Sequence, residues 1–573
     1  MTYTEQKEKW LKSACVDENT KEEIIKMNEK ELEESFYRSL EFGTAGLRGV
    51  LGAGTNRMNV YTVRHATQGL AEFIKAKGEK EMARGVAIAY DSRHCSRLFA
   101  EETAKVLGAN GIKVFLSDSL RPVPELSFAV RHFGAIAGVM ITASHNPAKY
   151  NGYKVYGEDG GQMPPENAGI VLDYINKIDI FEGVKTADLA ELEKNGIVTS
   201  FGTELDKEFI KNVKKQQINP DVFEKVGDFK VVYTPLHGSG NVPVRMVLEE
   251  IGVKNVMLVE SQISPDGDFP TVKSPNPENK EALTLAIELA KKAGAEFAFG
   301  TDPDCDRVGV AVKDKSGEFI TLTGNMVGAL LTHYILSCRK ENGTLPQNGI
   351  VVKTIVTSYM ADAICKDFGI AVENVLTGFK YIGEKMNQYN ATGEHTYLLG
   401  FEESYGYLSG MHARDKDAVE ASMLIVEMAA YYKTKGMTLY DALLKLYEKY
   451  GTYRERTVAL TFEGIEGAEK IKAVTAGVRE NPPMEIVGMK VQALSDYKLR
   501  KRKNFVTGES TDITLPVSDV LLFEMENGAW LAVRPSGTEP KIKFYIGVNE
   551  QSIEAAENKI DQVVAFVQKE FVK

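Results

Sequence analysis

AIAGVMITASHNP, residues 135–147, passes from an apolar run straight into a polar loop. A short apolar run bounded by turn residues reads as a buried strand. The same transition recurs in EFAFGTDPDCDR, residues 296–307, and in TYLLGFEESYGY, residues 396–407. Each closes a similar unit. The first unit begins at GVAIAYDSRHCS (85–96), passes a helix near 97–110 and the strand IKVFL (112–116), then ends at 135–147. The second begins at FKVVYTPLHGSG (229–240), passes a helix near 241–251, the strand VMLVE (256–260) and a helix near 279–293. The third begins at IVVKTIVTSYM (350–360) and passes a helix near 358–367. Strands alternating with helices predict α/β layering. In open α/β sheets ligands bind beyond the carboxyl ends of the strands, so the three polar loops are candidate site segments.

Outside the repeat, residues 1–40 read as Glu/Lys-rich helix, and GTAGLRGVLGAGTNR (43–57) as a glycine-rich turn. The final region carries the strand-like YRERTVALTFEG (453–464), a helix near 464–479, the loop RPSGTEP (534–540), the strand KIKFYIGV (541–548) and a helix near 551–571. It reads as a separate α+β domain. Four domains are expected: 1–205, 206–322, 323–448 and 449–573. The 43% hydrophobic content suits a buried core rather than disorder. A net charge of -11 with no long run of Lys or Arg argues against nucleic acid. No apolar leader and no stretch of about 18 apolar residues is present, so no membrane partner is expected. The five cysteines are scattered, with no C-x-x-C pair, which argues against a disulfide framework or structural zinc and fits a reducing cytoplasm.

The loops carry the chemistry. Ser144 follows a buried strand, with His145 beside it and Lys154 ten residues on. A serine becomes nucleophilic only when a base or a charge activates it. There is no G-x-S-x-G elbow, so a hydrolase reading lacks its motif. Asp302, Asp304 and Asp306 alternate along one short loop. Carboxylates this close repel unless a cation neutralises them, and hard oxygen donors favour Mg²⁺ or Ca²⁺. An EF-hand fails, because position six would be Arg307 and position twelve Lys313. Arg307 either contacts a phosphate or balances the acidic loop. Glu402 and Ser404 can hydrogen-bond sugar hydroxyls, and HARDKD (412–417) supplies Lys416. Arg534, Ser536, Gly537 and Thr538 form a plausible phosphate cradle. Arg48, in GTAGLRG, is either a functional cation or the rim of a turn.

T-A-S-H-N-P, D-x-D-x-D-R, G-x-E-x-S-x-G and R-x-S-G-T, in this order and at domain-scale spacing, resemble the α-D-phosphohexomutase superfamily over nearly the whole chain. NGYKVYG and the length look closest to its phosphoglucomutase/phosphopentomutase branch. The resemblance implies three similar α/β domains around a central cleft plus a C-terminal α+β domain. It implies interconversion of glucose 1-phosphate and glucose 6-phosphate, with mannose or pentose phosphates as alternatives. A sugar phosphatase or a non-catalytic binding protein ranks lower. By resemblance Ser144 is the phosphoserine, and Asp302, Asp304 and Asp306 hold Mg²⁺ together with a phosphoserine oxygen on Ser144. Glucose 1,6-bisphosphate serves as primer. Arg48, His145, Lys154 and Lys416 assist proton transfer or stabilise charge. Arg307 touches the reacting phosphate, Thr377 of TGFKY lies in the sugar-specificity region, and Glu402 and Ser404 bind sugar hydroxyls. Arg534, Ser536, Gly537, Thr538 and Lys543 hold the other phosphate. Lysine at 543, where vertebrate-type members carry arginine, keeps the charge but loses the bidentate fork.

Overall fold

A computed structural model describes residues 2–43, 46–462, 464–535 and 541–571, with the side chains of 464–466 and 468 left aside. These residues form two compact units. The first comprises Met1–Thr323, Gly383–Thr392 and Tyr405–Gly436; the second comprises Gly324–Ile382, Gly393–Ser404 and Met437–Lys573.

In the first unit the repeat is explicit. One sheet has the parallel core Val114–Ser117, Val86–Tyr90, Ala137–Ile141, and the next strand, Tyr150–Gly157, runs antiparallel. The other has the parallel core Asn255–Leu258, Lys230–Thr234, Phe297–Thr301, again followed by an antiparallel strand, Val308–Lys313. Val86–Tyr90 and Ala137–Ile141 are buried at every position, as strands covered on both faces require. Helices Val60–Ala76 and Ser96–Ala109 supply Leu70, Ile74, Phe99 and Leu107 to that core.

The glycine-rich turn expected at 43–57 contains a strand. Gly46–Val50 pairs antiparallel with Tyr150–Gly157. Its glycines permit the approach: a Cβ on Gly46, at φ +115°, would stand 1.8 Å from the carbonyl oxygen of Tyr153.

The N-terminal helices Tyr3–Lys12, Glu18–Lys26 and Glu29–Phe36 begin at Thr2, Asp17 and Asn28, whose side chains accept the free backbone N–H groups. Trp10 packs edge-on against Phe36, Tyr61 and Phe181 beneath them. Helix Ala418–Thr434 is buried from Ala418 to Tyr432 and packs on Thr203–Lys214 and Asn241–Glu250. A helix apolar all round must sit inside the protein.

The second unit contains three parallel strands, ordered Ala371–Val375, Gly349–Thr354, Thr396–Phe401. Ala371–Val375 has little apolar periodicity, with only Val375 buried, so sequence reading passes over it. An antiparallel sheet built from Thr452–Thr461 onward follows, with Lys541–Glu550, Trp530–Pro535, Leu521–Met525 and Met489–Asp496 in order. Helix Ile553–Glu570 covers it through Ile560, Val563 and Val567. The basic stretch 498–503 leads into the strand Lys501–Asn504, which lies between Met489–Asp496 and Ser510–Asp512, and there Lys501 pairs with Asp512 and Arg502 with Glu524, each at 2.6 Å. All five cysteines are free. Among the described residues no helix is long and apolar enough to cross a membrane.

Candidate active site

Strand Ala137–Ile141 delivers Thr142, Ala143 and Ser144 to a buried bend in the first unit. Ser144 takes φ +53°, a left-handed conformation that costs a non-glycine residue about 1–3 kcal/mol. The surroundings hold it there. The Ser144 N–H donates to Thr142 Oγ1 at 2.8 Å, and Thr142 Oγ1 donates to Asp91 Oδ2 at 2.6 Å. Arg93, 3.3 Å from Asp91, donates to the carbonyls of Ser144, Asn146, Pro147 and Tyr150. One buried guanidinium thus satisfies four carbonyls of one loop. The Ser144 hydroxyl donates to Asp302 Oδ2 at 3.0 Å and lies 3.2 Å from His145 Nδ1.

The acidic loop is the connection between antiparallel strands Phe297–Thr301 and Val308–Lys313. Asp302 Oδ1 accepts the N–H groups of Asp306 (3.1 Å) and Arg307 (3.0 Å). From below, the N–H and hydroxyl of Ser239 both donate to the Pro303 carbonyl at 2.8 Å. A Cβ at Gly238 would come within 2.4 Å of Pro303 Cα, so the H-G-S-G turn needs glycine there.

Asp302, Asp304 and Asp306 are buried, with one oxygen from each within 4.8 Å of the others. Lys154 Nζ is 2.9 Å from Asp304 Oδ2, and Lys416 Nζ is 3.2 Å from Asp306 Oδ2. Asp304 Oδ1 and Asp306 Oδ1 have no hydrogen-bond partner. The two lysines therefore occupy one oxygen on each carboxylate and leave the other. Buried, unsatisfied carboxylate oxygens in a compact group suit a hard divalent cation.

Burial pushes Asp302 well above the usual carboxylate range, reinforced by the charges of Asp304 and Asp306. Burial acts on Asp306 in the same sense, but Lys416, Lys154 and Arg307 outweigh it and lower its pKa. Burial, then the nearby cations Arg307 and Arg48, hold His145 well below the ordinary histidine range, so its imidazole is neutral at pH 7. Arg48 is exposed on the strand paired with Tyr150–Gly157. Arg307 is half-buried and paired with Glu278 at 2.5 Å.

In the second unit, Glu402 is buried and accepts from the Ser404 hydroxyl at 3.4 Å. Burial, then the charge of Glu402, pushes Glu403 up to about 7. Glu403 accepts from Thr354 Oγ1 at 3.0 Å and Thr357 Oγ1 at 3.4 Å, tying two strand-end loops together. Arg534 and Lys543 stand directly opposite each other on paired strands, a like-charge juxtaposition that an anion relieves. Arg534 also reaches the Tyr545 hydroxyl at 3.4 Å. Thr377 is half-buried just before helix Phe379–Thr392. Ser536, Gly537 and Thr538 lie outside the described residues.

Asp91, Arg93 and Asp415 in the first unit, and Glu403 in the second, hold candidate loops in place within their own units, and sequence reading does not single them out. A signal for the first two exists, since D-S-R ends the first strand of its unit just as the chemical loops end the third. Glu403 and Asp415 are masked by more suggestive neighbours, Glu402 and Lys416.

Four family models match the chain: phosphoglucomutase/phosphomannomutase alpha/beta/alpha domain I at residues 39–180, domain II at 207–317, domain III at 323–450 and the C-terminal domain at 465–562. The phosphoglucomutase of Staphylococcus saprophyticus is 37% identical over 542 residues, 94% of this chain and 96% of the relative. That of Staphylococcus aureus strain USA300 is 35% identical over 561 residues, 98% of this chain and 99% of the relative. Among solved structures, a putative phosphomannomutase from Thermus thermophilus aligns with a TM-score of 0.68 at 21% identity, covering 93% of this chain and 99% of the other. The open form of parafusin, a phosphoglucomutase from Paramecium, aligns with a TM-score of 0.68 at 18% identity, covering 92% and 95%. At those identities the two structures speak to the fold alone.

Proposed function

The chain belongs to the phosphoglucomutase/phosphomannomutase family, and from that premise we propose that it interconverts glucose 1-phosphate and glucose 6-phosphate through a phosphorylated Ser144. The observation that carries the reading is the 3.0 Å hydrogen bond from the Ser144 hydroxyl to Asp302 of the acidic triad. A hydroxyl held against a candidate cation site is where a phosphoryl group can be both carried and neutralised. The choice of glucose rests on the curated relatives.

Asp302, Asp304 and Asp306 would hold Mg²⁺ with an oxygen of the phosphoserine, and the ion would neutralise charge on the transferring group. The chain's own groups do the rest. The bond between Ser144 Oγ and phosphorus breaks as a sugar hydroxyl oxygen bonds to phosphorus; the sugar hydroxyl proton passes to a basic side chain, and the released Ser144 oxygen takes up a proton to become the hydroxyl again. Lys154 and Lys416, both at the triad, are the candidates for that proton, and either accepts it only as the neutral amine, after its ammonium has given up a proton. The product, glucose 1,6-bisphosphate, reverses in the site and returns its other phosphoryl group to Ser144. Arg93 holds the nucleophile's loop, and neutral His145 beside Ser144 Oγ adds no charge there. Glu402 and Ser404 read the sugar hydroxyls, Thr377 the sugar's orientation, and Arg534, Lys543 and the 536–538 segment the second phosphate. Arg48 and Arg307 add positive charge to the site. The four domains are proposed at 1–205, 206–322, 323–448 and 449–573.

The test incubates purified protein with glucose 1-phosphate, Mg²⁺ and a trace of glucose 1,6-bisphosphate, and follows glucose 6-phosphate and free phosphate together. Isomer should form with almost no free phosphate. Ser144→Ala should abolish turnover while the protein stays folded. Near-normal activity in that variant, or steady phosphate release by the wild type, would overturn the reading.

A further inference from the structure

Lys416 belongs to the loop 412–417, and its ammonium sits between two carboxylates: Asp306 Oδ2 at 3.2 Å and Asp415 Oδ1 at 3.0 Å. Asp306 belongs to the acidic triad; Asp415 does not. Asp415 is only 1% exposed, and its carboxylate accepts four hydrogen bonds. Oδ1 takes the backbone N–H of Lys416 (2.9 Å) and its Nζ (3.0 Å); Oδ2 takes the Tyr156 hydroxyl and Gln162 Nε2, both at 3.0 Å. A buried carboxylate with both oxygens engaged is fixed in place rather than available as a base.

The far ends of these bonds explain their use. Tyr156 lies two residues beyond Lys154 on strand Tyr150–Gly157, so the two side chains leave the same face of that strand. Lys154 reaches Asp304 directly. Tyr156 reaches Asp415, which holds Lys416, which reaches Asp306. One strand thus places both ammonium groups at the triad, the first by its own side chain and the second through Asp415. The lysine stem is confined as well, because a Cβ on Gly406 would stand 2.0 Å from Lys416 Cδ. A free lysine side chain has many rotamers, and such confinement removes that freedom before substrate arrives.

We propose that Asp415 is a positioning residue: braced by Tyr156 and Gln162, it holds the Lys416 ammonium at the Asp306 edge of the acidic triad. The consequence for turnover rests on the phosphoryl-transfer reading; the placement of Lys416 does not.

The experiment therefore has two readouts. Crystal structures of the wild type, Asp415→Asn and Tyr156→Phe report where Lys416 Nζ lies. Kinetics on glucose 1-phosphate report kcat and KM for the same proteins and for Lys416→Met with and without Asp415→Asn. In Asp415→Asn the ammonium should leave Asp306, and kcat should fall by about 10- to 100-fold, the size expected for a misplaced group, with KM changed by less than about twofold. Tyr156→Phe should give a smaller loss in the same direction, and it carries the test if Asp415→Asn does not fold. In the Lys416→Met background, Asp415→Asn should lower kcat no further, because its effect passes through the lysine. Lys416 Nζ remaining at its wild-type distance from Asp306 in a folded variant would overturn the proposal. So would an additional loss of kcat in the Lys416→Met background. A wild type that shows no isomerisation would instead defeat the phosphoglucomutase reading, and the crystallographic readout would still decide the role of Asp415.

Discussion

Asp304 and Asp306 each give one oxygen to a lysine and leave the other without a hydrogen bond, Asp306 Oδ1 lying 3.7 Å from Arg307 Nε, and that division shows how three buried carboxylates coexist. Two ammonium groups offset part of the repulsion, and Lys154 Nζ also lies 3.7 Å from Asp306 Oδ2. A second buried acidic group lies nearby in the chain, where His412 Nε2 meets Asp417 Oδ2 at 2.7 Å and Glu420 is fully buried. Burial pushes Glu420 up to about 7, and the charge of Asp417 adds to the shift against the opposing His412. The folded state therefore holds this proton more tightly than the unfolded chain, whose glutamate titrates near 4.3. Its stabilising contribution is complete below about pH 4.3 and is lost as pH rises through 7, on the order of 3 kcal/mol at most. Burial lowers His412, but its bond to Asp417 prevails and raises it, so it loses stability with rising pH in the same sense. Glu420→Gln should therefore shrink, without abolishing, the fall in Tm between pH 5 and 7.5 measured by calorimetry. Equal falls in the two proteins would remove Glu420 from this account.

Strand Tyr150–Gly157 contributes three side chains to the candidate loops: Asn151, Lys154 and Tyr156. Asn151 Nδ2 donates to the His94 carbonyl and to Ser96 Oγ, beside the Asp91–Arg93 bend. The strand is squeezed between the serine loop and Gly46–Val50. A Cβ on Gly152 would lie 2.5 Å from the Thr142 oxygen and 2.8 Å from the Leu47 oxygen. Both neighbours are backbone and cannot rotate away. Gly152→Ala should therefore destabilise the protein by about 1–3 kcal/mol, the scale of overpacking, and lower kcat because Thr142 supports Ser144. Denaturant melts and the kinetic assay on one preparation check both effects; an unchanged melt would show that the strand can shift.

Across the whole chain, contact density follows three dimensions rather than sequence order, so residues 405–436 join the first unit although residues 393–404 belong to the second. The segment's helix, Ala418–Thr434, begins directly after Lys416 with Asp417 as its N-cap, so the placement of Lys416 is linked to a buried helix. A cation bound only by the folded triad stabilises the whole chain by mass action, about 2.7 kcal/mol at a hundredfold excess over Kd. Millimolar Mg²⁺ should therefore raise the unfolding temperature, and Asp304→Asn should remove most of that rise. A variant with the full response would place the ion elsewhere.

The α/β layering and the repeated units were legible in the chain itself, and the candidate chemical loops stood out with them, because all rest on local signals. Apolar runs of strand length end in polar turns, and Ser144, the three aspartates and Lys416 stand inside motifs. The strands Gly46–Val50 and Ala371–Val375 were not legible, since one is interrupted by two glycines and the other buries only Val375, leaving no periodicity to read. Arg93 and Asp415 escaped for a different reason. Their value lies in partners 51 to 57 and 253 to 259 residues away, and no local pattern encodes which distant carbonyls or hydroxyls a buried charge will meet. Sequence offered the candidate chemical groups; tertiary packing alone decided which of them are held still, because burying a charge requires partners that only the folded chain brings together.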